Sequence, residues 1–94
     1  MSNKDYLFLE KKAEVLKAFS HPVRLSILRD LALNGEKRVS DMETNSDIPL
    51  ATVSQHLVKM YNTGFFNKRR NGIEIYYSLK DDKVIKEFVE IFLK

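Results

Sequence analysis

A chain of 94 residues makes one domain, expected to span residues 1–94, and lies near the lower limit at which a single core suffices, so pairing with a second copy is expected. Its composition, 44% hydrophobic and 31% charged with three Gly and two Pro, excludes a disordered or fibrous chain. The absence of cysteine excludes disulfides, thiolate metal sites, cysteine nucleophiles and thiol redox sensing. The net charge of +3 is unevenly spread: residues 48–80 carry Lys59, Lys68, Arg69, Arg70 and Lys80 against Glu74 alone, so the positive excess lies where a polyanion could be met.

The first nineteen residues are charged throughout and lack the apolar stretch of a signal peptide, and no run approaches membrane-spanning length. A cytoplasmic location without a membrane partner is expected. Over about 5–19 the spacing predicts a helix with Leu9, Ala13 and Leu16 on one face and Phe8, Val15 and Phe19 on an adjoining one, which implies two packing partners. Ser20 and Pro22 mark the start of a second helix that ends near Asn34-Gly35, with Val23, Leu25, Leu28, Leu31 and Ala32 as its inward stripe.

Ser40-Asp41-Met42-Glu43 reads as a capping box opening a short helix to about Ser46. Asp47-Ile48-Pro49 breaks the chain, and Leu50 to Thr63 forms a further helix closed by Gly64 in the left-handed position. Residues 40–64 therefore read as a helix-turn-helix. From Phe65 the apolar period changes to two, and Asn71-Gly72 between two strand-like runs predicts a β-hairpin over about 65–79. A two-residue loop there sets Arg70 opposite Ile73, Arg69 opposite Glu74, Lys68 opposite Ile75 and Phe66 opposite Tyr77. Asp81-Asp82 caps a last helix, about 82–93, carrying Val84, Ile85, Phe88, Val89, Ile91 and Phe92, an apolar surface wide enough to need a partner.

The expected fold class is α+β, mostly α: a winged helix-turn-helix with a two-stranded β-hairpin wing and helices at either end for dimerisation. Three segments then carry a family resemblance: Leu16-Lys17-Ala18-Phe19-Ser20-His21-Pro22-Val23-Arg24-Leu25-Ser26-Ile27-Leu28, Thr52-Val53-Ser54-Gln55-His56-Leu57 and Ile75-Tyr76-Tyr77-Ser78-Leu79. In that order and spacing they resemble the ArsR-type repressors. The resemblance implies a homodimeric repressor whose first and last helices build the dimer interface and whose helix at 50–63 enters the DNA major groove. Its best-known members release DNA on binding a metal. One of their sites uses Cys-x-Cys where this chain has Arg38 and Ser40, and another uses an Asp, matched by Asp81, with a His where Lys83 stands. No metal site and no cofactor is therefore expected, and the effector is left unknown.

The helix at 50–63 has Val53, His56, Leu57 and Met60 on one side and Ala51, Ser54, Gln55 and Val58 on the other. The second set is the candidate DNA face. Gln55 can bond an adenine edge with two hydrogen bonds, Ser54 can reach a base or phosphate, and Thr52 lies on the N-terminal turn, where backbone amides attract phosphate. Lys59 joins Ala51, Thr52, Ser54 and Gln55 as a candidate contact. In the wing, Lys68, Arg70 and Asn71 suit phosphate or minor-groove contact, whereas Arg69 is expected to be occupied by Glu74. The candidate dimer contacts are Phe8, Val15, Phe88, Ile91 and Phe92, which have no obvious cover in so short a chain.

His56 lies among core positions and reads as a structural histidine, and His21, beside Pro22, as a helix-entry residue. Arg24 either pairs with an acid or contacts phosphate. No nucleophile, base and acid come together and there is no Gly-rich phosphate loop, so an enzyme is not expected. The expected partner is double-stranded operator DNA. The alternative is a winged helix that binds another protein, because fold does not dictate function. An RNA-binding version lacks the aromatic surface that single strands need, Tyr76 being the one nearby candidate.

Overall fold

In a computed structural model of the chain, residues 1–42 and 47–94 are described. Helix α1 (Asn3–Phe19) begins at a reciprocal cap: Ser2 Oγ accepts the Asp5 amide at 3.1 Å, and the Asp5 carboxylate accepts the Ser2 amide at 3.2 Å. Only its C-terminal end meets the rest of the molecule. Phe19 is buried and Val15 and Ala18 are half-buried, while every earlier residue is exposed. Of the two stripes expected, the one ending at Phe19 reaches the core and that of Leu9, Ala13 and Leu16 faces solvent.

Helix α2 (Pro22–Asn34) has the expected bounds, but His21, not Ser20, caps it: its Nδ1 accepts the Val23 amide at 3.1 Å, and Pro22 at the first helical position has no amide to satisfy. Ile27, Leu28 and Leu31 are its buried apolar face. Val23 and Leu25 are half-buried and Ala32 is exposed. Asp30 is also buried, held by Lys37 Nζ and Asn34 Nδ2, each 2.7 Å from Oδ1, so the end of α2 is tied to the strand that follows.

That strand, β1 (Lys37–Arg38), is too short to show alternation in the sequence and was not expected. A 3₁₀ turn, Val39–Asp41, follows it and leads to the buried Met42. Of the helix expected over 40–46, residues 43–46, and with them the capping-box acid Glu43, lie outside the described residues. Ser40 sits inside the 3₁₀ turn and does not begin a helix. Helix α3 (Leu50–Tyr61) ends two residues earlier than expected, with Thr63 Oγ1 donating to the Met60 carbonyl at 2.6 Å before Gly64 turns the chain at φ 87°.

Strands β2 (Phe66–Asn71) and β3 (Glu74–Leu79) form the hairpin, and β1 adds to the far edge of β3 to give an antiparallel sheet of order β1-β3-β2. The register differs from that expected: Asn71 opposes Glu74, Arg70 opposes Ile75, Arg69 opposes Tyr76, Lys68 opposes Tyr77 and Phe66 opposes Leu79. The turn residues are Gly72-Ile73, not Asn71-Gly72. An Asn-Gly type I′ turn needs positive φ at both central positions, whereas here Gly72 alone has it, at 64°, and stands first, as a type II′ turn requires. A shift of two residues keeps every side chain on its expected face.

Helix α4 (Lys83–Phe92) is capped by Asp82, whose Oδ1 accepts the Val84 and Ile85 amides at 2.9 and 3.1 Å. Phe19, Leu28, Leu31, Val53, Leu57, Met60, Phe66, Tyr77, Ile85 and Val89 meet in one core to which α1, α2, α3, α4 and both hairpin strands contribute. Among the described residues no helix is long and apolar enough to cross a membrane.

Candidate nucleic-acid interface

Helix α3 buries Val53, Leu57 and Met60 and turns Ala51, Ser54, Gln55, Val58 and Lys59 outward, with Thr52 half-buried. The side chains of Thr52, Ser54 and Gln55 make no hydrogen bond to a described residue, so their donors and acceptors are available to a ligand. Pro49 precedes the helix and supplies no side-chain cap; the Thr52 amide donates to the Pro49 carbonyl at 3.0 Å, and the Leu50 and Ala51 amides stay open to an anion.

His56 lies at the edge of the buried face and is joined to α2. Arg24 Nε donates to His56 Nδ1 at 2.9 Å and Arg24 Nη1 donates to the Ala18 carbonyl at 3.1 Å, and the His21 and His56 rings lie 4.5 Å apart. Burial, and then the positive surroundings of His21, Arg24 and Lys59, hold the His56 pKa below its ordinary 6.5. The ring is therefore neutral at pH 7 and accepts at Nδ1. The partner of Arg24 is thus an imidazole and a carbonyl, not the acid that was one of its two expected roles. Arg24 and His56, with Thr52, Gln55, Val58 and Lys59, line a cleft of about 380 Å³ beside the outward face of α3. Nothing local along the chain signals this pairing, because 32 residues separate its members.

In the wing, alternation puts Phe66, Lys68 and Arg70 on one face with Ile75, Tyr77 and Leu79. Asn67, Arg69 and Asn71 share the other with Glu74, Tyr76 and Ser78. The first face continues from the core, and Lys68 Nζ lies 4.5 Å from the centre of the Tyr61 ring at the end of α3. Arg70 has no hydrogen bond or ion pair with a described residue. Arg69 is occupied, as expected, but by a different acid: its Nε and Nη2 donate to Glu36 at 2.8 and 2.7 Å, and its guanidinium lies over Tyr76 at 4.2 Å. Glu74 is instead bound by Arg38 at 2.7 Å. Asn71 stands exposed at the last pair before the turn.

Among the candidate dimer contacts, Phe8, Ile91 and Phe92 are exposed, at 59%, 75% and 71%. Val15 and Phe88 are half-buried against the core, and Phe88 does have cover within the chain: it stacks on Phe19 at 6.2 Å and on Phe92 at 5.1 Å. Tyr6, Leu7, Leu9, Leu16 and Val84 are also more than half exposed. Four consecutive apolar residues, 6–9, were the available signal, since at 100° per residue they cannot all face one side of a helix.

Among the described residues no group of three or more His, Cys, Asp or Glu could hold a metal ion. Asp81 pairs with Lys86, which holds its carboxyl below the ordinary range.

Residues 21–68 match the family described as "Bacterial regulatory protein, arsR family". The chain is 40% identical over 80 residues to the transcriptional repressor PagR of Bacillus anthracis, covering 85% of this chain and 80% of PagR. The crystal structure of PagR superposes with a TM-score of 0.73 over 90% of this chain and 95% of that one, at 35% identity. The solution structure of the homodimeric winged helix-turn-helix DNA-binding domain Mb0332 from Mycobacterium bovis superposes with a TM-score of 0.79, at 31% identity, over 97% and 83% of the two chains.

Proposed function

This chain belongs to the ArsR family of bacterial regulatory proteins, winged-helix DNA-binding transcriptional regulators and not enzymes, and from that premise we propose that it is a homodimeric repressor acting on an imperfect palindromic operator in the cytoplasm. The observation that carries this reading is the outward face of α3, where Ser54 and Gln55 stand beside a wing that carries Arg70, none of the three side chains bonded to a described residue. In this assignment the whole chain, residues 1–94, acts as one DNA-binding unit. Helix α3 lies in the major groove. Gln55 and Ser54 read base edges, while Ala51 packs against the groove and the Thr52 hydroxyl and the open Leu50 and Ala51 amides take phosphate. Lys59, Lys68, Arg70 and Asn71 meet the backbone on either side. Phe8, Val15, Phe88, Ile91 and Phe92 join two copies along α1 and α4, which agrees with the homodimeric state of the Mb0332 domain. Release by a metal is not part of the assignment, because the chain has no thiol and the Nδ1 atoms of both histidines already accept hydrogen bonds.

The test is recovery of bound DNA from a pool of random duplexes. Enrichment of an imperfect palindrome with half-sites about 34 Å apart, bound in a salt-dependent way, is the expected result. If no sequence is enriched and duplexes bind no better than they bind an unrelated protein of equal charge, the reading is wrong and the surface serves a protein partner.

A further inference from the structure

The hairpin rests on the core through β3 and the base of β2: Tyr77 and Phe66 are buried, and Ile75 and Leu79 are half-buried against the core. In β2, by contrast, only Phe66 is buried and the five residues after it are exposed, so the outer half of that strand has little apolar support of its own. A continuous set of side chains on its outer face supplies the support. Arg38, in the two-residue strand β1, opposes Tyr76 of β3. Its Nη1 reaches Glu74 Oε1 at 2.7 Å, at the last ladder position before the turn, while its Nε and Nη2 hold both oxygens of Asp41 in the 3₁₀ turn at 2.7 and 3.2 Å. Tyr76 Oη donates to the second oxygen of Glu74 at 3.2 Å, and the ring of Tyr76 carries Arg69, which is bound to Glu36. The set thus runs across all three strands from Glu36 to Asp41.

Arg38 also occupies a particular place. A groove of about 290 Å³ separates the wing from the first half of α3, with Ile73 and Ile75 on one wall, Leu50 and Ser54 on the other, and Arg38 and Ser40 along its lining. We propose that Arg38 is the positioning residue of the wing: by bridging Asp41 and Glu74 it sets the spacing between hairpin tip and α3, so that Arg70 and Asn71 reach the DNA backbone when α3 is in the groove. The inference rests on the reading of α3 and the wing as a DNA surface. Arg38 does not itself touch DNA in this arrangement. A guanidinium suits the task because its flat fork serves two carboxylates at once, which a lysine ammonium at the end of a flexible stem does with no fixed geometry.

A double-mutant cycle on the duplex recovered from the random pool tests this, with Arg38→Met chosen to keep the aliphatic stem. Arg70→Ala is expected to weaken binding about tenfold in the wild-type background and less than about threefold in the Arg38→Met background, with no further loss of salt dependence in the double variant. Fully multiplicative losses, with the salt slope falling by about one further unit, would overturn the proposal, because Arg38 would then be a phosphate contact of its own. If Arg70→Ala binds as wild type in both backgrounds, the wing assignment falls and takes this proposal with it. Amide hydrogen exchange in the free protein reads the positioning without DNA. Exchange at residues 68–76 is expected to quicken in Arg38→Met while the core of α2 and α3 stays protected, and unchanged exchange in the wing would overturn the proposal. Glu36→Gln is expected to leave affinity unchanged or lower it. Tighter binding with a steeper salt slope would mean that the set restrains a DNA-binding Arg69, which also overturns it.

Discussion

Gln55 and Arg70 are assigned different tasks on the duplex, and their substitutions separate them. Gln55 can pair with a single base edge, so Gln55→Ala should weaken operator binding by roughly 1–3 kcal/mol, relax discrimination at one base pair per half-site and leave the melting temperature unchanged. Arg70 faces phosphate, which every sequence shares. Arg70→Ala should lower affinity for operator and unrelated duplex alike and reduce the salt slope by about one unit, as anisotropy titrations over a series of salt concentrations would measure. His56 belongs to the fold before it belongs to the site. Its removal leaves Arg24 Nε without an acceptor, and His56→Ala should cost about 1 kcal/mol in urea denaturation. Because the folded-state pKa of His56 lies below 6.5, the folded protein binds fewer protons than the unfolded chain near that pH. The associated stability is present above pH 6.5 and is lost as pH falls through the folded value. Urea midpoints on either side of that window should show this component in the wild type and not in His56→Ala.

At the scale of elements, the helices and the hairpin are held by different means. Helix α3 is anchored by Val53, Leu57 and Met60, none of them more than 1% exposed, so Leu57→Ala should cost about 2–5 kcal/mol and weaken DNA binding only through loss of folded protein. The hairpin is anchored by Phe66 and Tyr77 at its base and by ion pairs farther out, where charge and not burial decides its direction. Its strands were legible in the sequence from the change of period at Phe65 and from Gly72. The register was not: Asn71-Gly72 and Gly72-Ile73 both offer a two-residue turn, and the choice fell to the one that needs positive φ at glycine alone. Strand β1 was invisible for a related reason, since its two residues are extended only because β3 offers them an open edge.

At the scale of the whole molecule, exposed apolar residues decide the assembly. Helix α1 projects Tyr6, Leu7, Phe8 and Leu9 into solvent and α4 adds Val84, Ile91 and Phe92, the apolar side chains that the proposed dimer would cover. Light scattering should give twice the 11.0 kDa chain mass at micromolar concentration, and Phe92→Glu should halve it and abolish operator binding while leaving the circular dichroism spectrum helical. Equimolar zinc, nickel, copper(I) or arsenite should leave anisotropy on operator DNA unchanged. Release by any of them, reversed by a chelator, would reveal a ligand set built on His21, His56, Asp81 or Asp82.

Features that depend on neighbours along the chain are legible before any folding is considered. Helix spacing, the breaks at Pro22 and Pro49, the glycine turns and the crowding of positive charge over residues 48–80 gave the winged helix, its family and the outward face of α3. Each of these is set within a few residues by dihedral preference or by side-chain period. Packing, in turn, settles which acid or ring holds each arginine. Arg69 is occupied as its place in the hairpin predicts, yet by Glu36 and not Glu74; Arg38 spans Asp41 and Glu74 and Arg24 is held by an imidazole, pairings that no local pattern announces, while Arg70 has no such partner among the described residues. Their partners lie as many as 36 residues away and meet them only when the helices and strands have packed. The cations left over for a polyanion are therefore a property of the fold and cannot be counted from composition.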